Sequence, residues 1–230
     1  MTLFARWFGR GASLEPALER RIADWKAVPP PPPDARFAAT RCVVVDTETS
    51  GLDTQNDRLL AVGAVGLLRL RIPLADSFDA VLRQARVSAR ENIVVHGIGE
   101  AAQIGGEDPQ QALLRFLEFC GKAPLIAFHA PFDQAFLLRS VRQSLGVRLR
   151  LQWLDLAVLL PALFGTKPNQ ALDDWLQYLD VAVPMRHSAL GDAFATAQLA
   201  QIALRRAQSR GIEDFGALAK LASDARWLRS

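Results

Sequence analysis

VVVDTETSG, Val43 to Gly51, is the stretch on which the fold turns. Three consecutive β-branched residues predict a strand buried on both faces, yet the same strand goes on to carry two carboxylates, Asp46 and Glu48. Residues i and i+2 of an extended chain leave by one face, so both acids aim at one spot. Two such groups cannot both stay ionised in apolar surroundings without a cation, and hard oxygen ligands at a strand end favour Mg²⁺ or Mn²⁺. By itself, D-x-E fits a solvated turn equally well.

The flanking patterns supply the rest of a sheet. RCVVVDT (41–47) is the first strand, RLLAVGAVGLLRLRI (58–72) the second and SFDAVLR (77–83) the third, a succession that predicts an antiparallel meander. Helical spacing follows in DPQQALLRFLEFC (108–120). PLIAF (124–128) is a short buried strand, Pro131 suits the first turn of a helix, and RLQWLD (150–155) is a fifth strand. A meander followed by strands alternating with helices predicts a mixed α/β sheet of about five strands covered by helices.

With 230 residues, half of them hydrophobic and 22% charged, the chain is long enough for one substantial core and is not a disordered one. A net charge of +3 permits a nucleic-acid partner without identifying it. Cys42 and Cys120 stand far apart outside any CxxC pattern, which predicts free buried thiols in a reducing compartment. No run has signal-peptide character or the ~18 apolar residues of a membrane span, so a cytoplasmic protein is expected.

Three segments are expected. Residues 1–40 form an arm: Leu14, Leu18, Ile22 and Trp25 recur at helical spacing after a potential N-cap, Ser13, and VPPPPPD then makes a stiff polyproline linker. Residues 41–208 form the main domain. Residues 209–230 add a helix that packs on the core through Ile212, Phe215, Leu218 and Leu221.

Two further segments bear chemistry. In LIAFHAPFDQAFLL (125–138), Asp133 falls in the first turn of a helix near the sheet edge where Asp46 should lie. In MRHSALGDAFATAQLAQIALRR (185–206), Ser188 is the N-cap of a helix, Asp192 lies in its first turns and His187 just precedes it. Inside one regular helix His187 and Asp192 would stand about 140° apart, so the histidine is expected on a loop, approaching from another direction.

D-x-E, then F-D after a strand, then H-x4-D entering a helix is an arrangement that closely resembles the DnaQ-like, or DEDDh, family of 3′-5′ exonucleases. The nearest branch is the epsilon-type proofreading domains of bacterial DNA polymerase III. The resemblance spans about residues 41–205 and includes NIVVHGIG (92–99) and WLDLAVLLPAL (153–163). It implies an RNase H-like mixed five-stranded sheet in the order 3-2-1-4-5, with strand 2 antiparallel. It implies Asp46, Glu48, Asp133 and Asp192 as the acidic metal-binding set for two divalent cations, Mg²⁺ or Mn²⁺, with His187 as general base. The sole tyrosine, Tyr178, precedes H-x4-D, which disfavours the tyrosine-based branch.

The same resemblance implies a substrate site. The region of Thr47 and Glu48 would meet the 3′-hydroxyl, Gly51 and Leu52 would approach and wedge the end base, and Val95, His96 and Phe132 would line the nucleotide pocket. His129 stands where many members carry Asn, so its imidazole is expected to take over that amide's hydrogen bond without acting as a base. The expected partners are a single-stranded nucleic acid 3′ end, DNA favoured over RNA, and the nucleoside monophosphate product, with the N-terminal arm a candidate contact for a replication or repair protein. RNA trimming and an inactive binding module are the competing functions.

Overall fold

The valine run of the first strand is buried on both sides because two separate helical layers cover it. The computed structural model describes residues 14–183 and 186–227, the side chains of Arg90, Val95, Arg226 and Trp227 excepted. The chain begins with α1 (Pro16–Ala27) and then forms the meander β1 (Cys42–Thr49), β2 (Leu59–Leu67) and β3 (Ser77–Val81). Three helices follow, α2 (Arg90–His96), α3 (Glu100–Ile104) and α4 (Pro109–Cys120). Next come β4 (Leu125–Ala127), α5 (Ala130–Leu145), β5 (Trp153–Asp155), α6 (Leu156–Phe164) and α7 (Leu172–Tyr178). The last two elements are α8 (Ala189–Ser209) and α9 (Phe215–Trp227).

The sheet order is β3-β2-β1-β4-β5, with β2 antiparallel to both neighbours and β1, β4 and β5 parallel. This is the mixed RNase H-like arrangement expected. Val43 and Val45 enter a core shared with α1, α4 and α5, including Leu113, Phe116 and Phe136. Val44 enters the opposite core, shared with α6, α8 and α9, including Leu160, Leu199 and Phe215. The period-2 alternation of β1 thus divides one apolar run between two layers.

The second strand is shorter than its apolar run. It stops at Leu67, and Leu68 and Arg71 exchange two 2.9 Å backbone hydrogen bonds around Arg69 and Leu70, both at positive φ (53° and 56°). A two-residue turn with both φ values positive matches the twist of a hairpin, but each side chain there costs on the order of 1 kcal/mol. Packing compensates: Leu70 is buried and its carbonyl accepts a 2.8 Å bond from Gln201 Nε2 on α8.

The first helix is seated on α4. Leu18, Ile22 and Trp25 are buried, the Trp25 indole donates to the Gly121 carbonyl at 2.8 Å, and Arg21 forks onto Glu118 at 2.8 and 2.7 Å. Its N-cap is Glu15; Ser13 lies outside the described residues. Beyond the prolines, Phe37 meets Phe215 of α9 edge-on at 6.2 Å, and its backbone N–H donates to the Glu213 carbonyl at 3.0 Å. The end of the linker and the C-terminal helix therefore cover one another. No described helix is long and apolar enough to cross a membrane.

Candidate active site

Asp46 and Glu48 leave β1 on the α8 side, the face to which Val44 belongs. Across the ladder, Asp46 pairs with Gly63 of β2. A Cβ built at Gly63 would lie 2.1 Å from the Ala189 carbonyl carbon and 2.2 Å from the Leu190 nitrogen, so only glycine admits the first turn of α8 onto the sheet here. That turn is shaped by two residues before it. His187 takes a left-handed backbone (φ 62°), and Ser188 caps the helix, its Oγ accepting from the Gly191 N–H at 3.2 Å. Asp192, in the first turn, arrives beside the strand acids: ligand oxygens of Asp46, Glu48 and Asp192 all lie within 4.8 Å of one another.

Asp133 comes from the other side. It sits in the first turn of α5, is buried, and accepts a 2.7 Å hydrogen bond from the Thr47 hydroxyl. Thr47 alternates with Asp46 and Glu48 and so faces the α5 layer. Thr47 and Asp133 form a clamp between the strand end and α5, and the Thr47 side chain, expected near the 3′-hydroxyl, is buried in that clamp. Asp133 is close enough to raise the Asp46 pKa, yet it is not one of the three residues whose ligand oxygens converge.

Burial dominates the electrostatics. It drives Asp46 well above the usual carboxylate range, with Asp133, Asp192 and Glu48 adding repulsion. Burial, then Asp192 and Asp133, push Glu48 up to about 7. Asp133 is pushed up to about 7 by burial, opposed by the Thr47 hydrogen bond. Asp192 is raised by burial and drawn back by Arg186. Three converging, half-buried carboxylates that resist ionising together are the donor set expected for hard divalent cations.

Arg186, which no sequence motif marks as a site residue, also reaches the acid cluster. Its guanidinium bonds Asp192 and holds Asp173 of α7 at 2.7 and 3.1 Å. The only signal in the sequence was its position beside His187. His187 itself is exposed, and its backbone N–H approaches Asp192 Oδ1 at 3.4 Å.

The substrate-side residues divide. Leu52 projects into solvent, 85% exposed, directly after Gly51. Gly51 is required by its own loop: a Cβ there would lie 2.3 Å from Asp57 Oδ2, and Asp57 accepts from the Ser50 hydroxyl and the Asp53 N–H, both at 2.9 Å. Phe132 is half-buried, its ring 5.0 Å from that of Phe136 and tilted by 54°. Val95 belongs to α2, but its side chain lies outside the described residues.

Two further histidines differ in burial, one buried and one exposed. His96 is 3% exposed; its Nδ1 accepts from the Ile98 N–H at 3.0 Å, which leaves Nε2 to meet the Ser88 hydroxyl at 3.0 Å. Gln103, also buried, binds Ser88 and the Ile98 carbonyl, so the imidazole braces the HGI loop from inside and does not line a pocket with its ring. Burial also lowers its pKa, favouring the neutral ring. His129, at the N-cap of α5 with φ 60°, is exposed, makes no side-chain capping bond and meets Phe128 edge-on at 4.8 Å. The hydrogen bond expected of the replaced amide is not one that caps this helix.

Residues 43–200 match the RNase T exonuclease family model. A DNA polymerase III subunit epsilon-like protein of Rhodobacter capsulatus is 34% identical over 179 residues, which cover 76% of this chain and 25% of that protein. The PolC-type DNA polymerase III of Thermotoga maritima is 27% identical over 82% of this chain and 14% of its own length. The fold of Escherichia coli exonuclease I, solved with a dT13 oligonucleotide, superposes with a TM-score of 0.62 at 15% identity over 75% of this chain and 42% of that one. The chain thus spans a quarter or less of those two polymerase relatives. With the family model matched from β1 into α8, the chain belongs to the exonuclease family, in its DnaQ-like 3′-5′ branch.

Proposed function

We propose that this chain is a two-metal 3′-5′ exonuclease that releases nucleoside monophosphates from the 3′ end of single-stranded DNA, with residues 41–208 as the catalytic unit. The convergence of Asp46, Glu48 and Asp192 within 4.8 Å carries the reading. Two Mg²⁺ or Mn²⁺ ions held by these carboxylates would supply positive charge to the phosphoryl oxygens and to the departing 3′-oxygen.

The remaining work falls to side chains of this chain. We assign to His187, exposed on its left-handed turn, the role of general base that takes a proton from the attacking water. The new bond joins that water's oxygen to phosphorus, and the bond to the 3′-oxygen of the preceding nucleotide breaks. Asp133, clamped by Thr47, supports the strand end from the opposite face and adds to the negative field at the rim. Leu52 supplies an exposed apolar edge next to the metal-binding strand, suited to sequence-tolerant contact with a terminal base.

DNA as the substrate is supported by the polymerase III relatives and by exonuclease I with its bound dT13, and the same relatives support a replication or repair assembly as the setting. The test is digestion of 5′-labelled DNA and RNA oligonucleotides of one sequence with Mn²⁺, beside His187→Ala. Stepwise shortening and nucleoside monophosphate release, faster on DNA, are expected. Faster shortening of RNA would reassign the enzyme to exoribonuclease, and binding of both strands with no product would make it a binding module.

A further inference from the structure

Two open grooves, of about 580 and 760 Å³, share Gln55, Arg139 and Gln143 and run together between the 54–58 loop, α5 and the segment after β3. Their walls carry five arginines: Arg58, Arg83, Arg86, Arg139 and Arg142. Asp57 is the one carboxylate in the lining; among the described residues Arg83 is ion-paired with Asp108 at 2.9 Å, and Asp53 interacts electrostatically with Arg139. Counting Asp57, Asp108 and Asp53, the five arginines leave two guanidinium charges in excess.

Two of these guanidinium groups are oriented by backbone carbonyls. Arg139 donates to the carbonyls of Thr54 and Asp57, and Arg58 donates to the carbonyl of Arg86. Carbonyl acceptors fix a guanidinium's direction and leave its charge intact, with further N–H groups available for an anion. Among the described residues, no carboxylate engages Arg86 or Arg142, and both are exposed. Arg142 follows Arg139 on α5 by three residues, so both lie along one helix face. The 54–58 loop continues directly from Ser50, Gly51 and Leu52 and is stapled to them by Asp57. One loop thus forms the edge of the candidate active site and the wall of the arginine groove.

We infer that this groove is a second nucleic-acid subsite that binds the phosphodiester backbone of the strand away from the 3′ end being cut. It rests on the nuclease reading proposed above. The chemistry recognises phosphates and ignores bases and sugars, so DNA and RNA are held alike there and the groove contributes grip, not sequence choice. A long strand would engage both sites along the loop that they share.

The test measures fluorescence anisotropy of 5′-labelled DNA and RNA 20-mers in EDTA, so that no strand is cut, across 50–200 mM salt. Arg86→Ala/Arg142→Ala is expected to weaken both by on the order of tenfold and to reduce the slope of log affinity against log salt by about 1.4. Arg86→Lys/Arg142→Lys should restore most of the affinity, and Arg150→Ala, an exposed arginine outside the groove, should match wild type. Unchanged affinity and salt slope in the double alanine variant would overturn the inference. Hydrolysis of thymidine 5′-p-nitrophenyl phosphate with Mn²⁺ reports the carboxylate site separately: its loss in the wild-type protein would count against the nuclease reading, while anisotropy would still decide the groove.

Discussion

Asp46 and Gly63 face one another across β1 and β2, and the absence of a side chain on Gly63 lets Asp192 come beside Asp46. The start of α8 lies where a Gly63 Cβ would be, and Asp192 rides on that first turn. A strand glycine with no side chain thereby decides whether a carboxylate from a segment far along the chain reaches the strand acids.

Gly63→Ala should therefore damage the site and the fold together. Backbone atoms 2.1 and 2.2 Å away cannot move without shifting α8. Overpacking of this kind costs about 1–3 kcal/mol. The expected result is a lower melting temperature and weaker Mn²⁺ binding by calorimetry, whereas Gly99→Ala, whose Cβ would meet nothing within 4 Å, should be close to neutral in both.

The carboxylate cluster should make the metal-free protein less stable as pH rises. Asp46, Glu48, Asp133 and Asp192 all have folded-state pKa values raised above their ordinary ones, Glu48 and Asp133 to about 7. Between the ordinary carboxylate range and 7 the folded state holds protons that the unfolded chain has released, so stability present at low pH is lost as pH climbs through 7. Melting in EDTA should accordingly show a lower transition at pH 8 than at pH 6. Asp46→Asn should flatten that dependence while eliminating the rise that Mn²⁺ produces in the wild type; an unchanged slope would mean the four acids do not share one field.

Loss of the His187 imidazole should separate catalysis from metal binding. General-base groups contribute typically 10²–10⁴-fold. His187→Ala is expected to lower kcat within that range, with Mn²⁺ stabilisation of the fold retained because the three converging carboxylates are untouched. Asp192→Asn should lose both. Near-normal turnover of His187→Ala at saturating Mn²⁺ would remove the histidine from the reaction.

The N-terminal helix should behave as part of the folded unit. Trp25 is buried, its indole is hydrogen-bonded to Gly121, and the Lys122 ammonium lies 3.0 Å from its ring centroid. Trp25→Ala is expected to cost about 3–5 kcal/mol in denaturant unfolding. A change under 1 kcal/mol would show that α1 contributes little to the packed core.

The boundary between what sequence and structure decide runs through the site itself. The sequence alone determined the elements whose signals are local. The period of β1 sent Asp46 and Glu48 to one face, Ser188 marked the start of α8, and the meander with its alternating successors implied a mixed sheet. Only the tertiary structure decided which side each remaining group approaches from. Asp133 stands behind the strand, held by Thr47; Arg186 crosses to Asp192; His96 turns inward to Ser88; and arginines from three separate segments meet in one groove. Spacing along a strand or helix fixes direction over a few residues because the backbone repeat does so. Convergence of distant segments depends on how closely their backbones pack, and at Gly63 that closeness is set by the lack of a single methyl group.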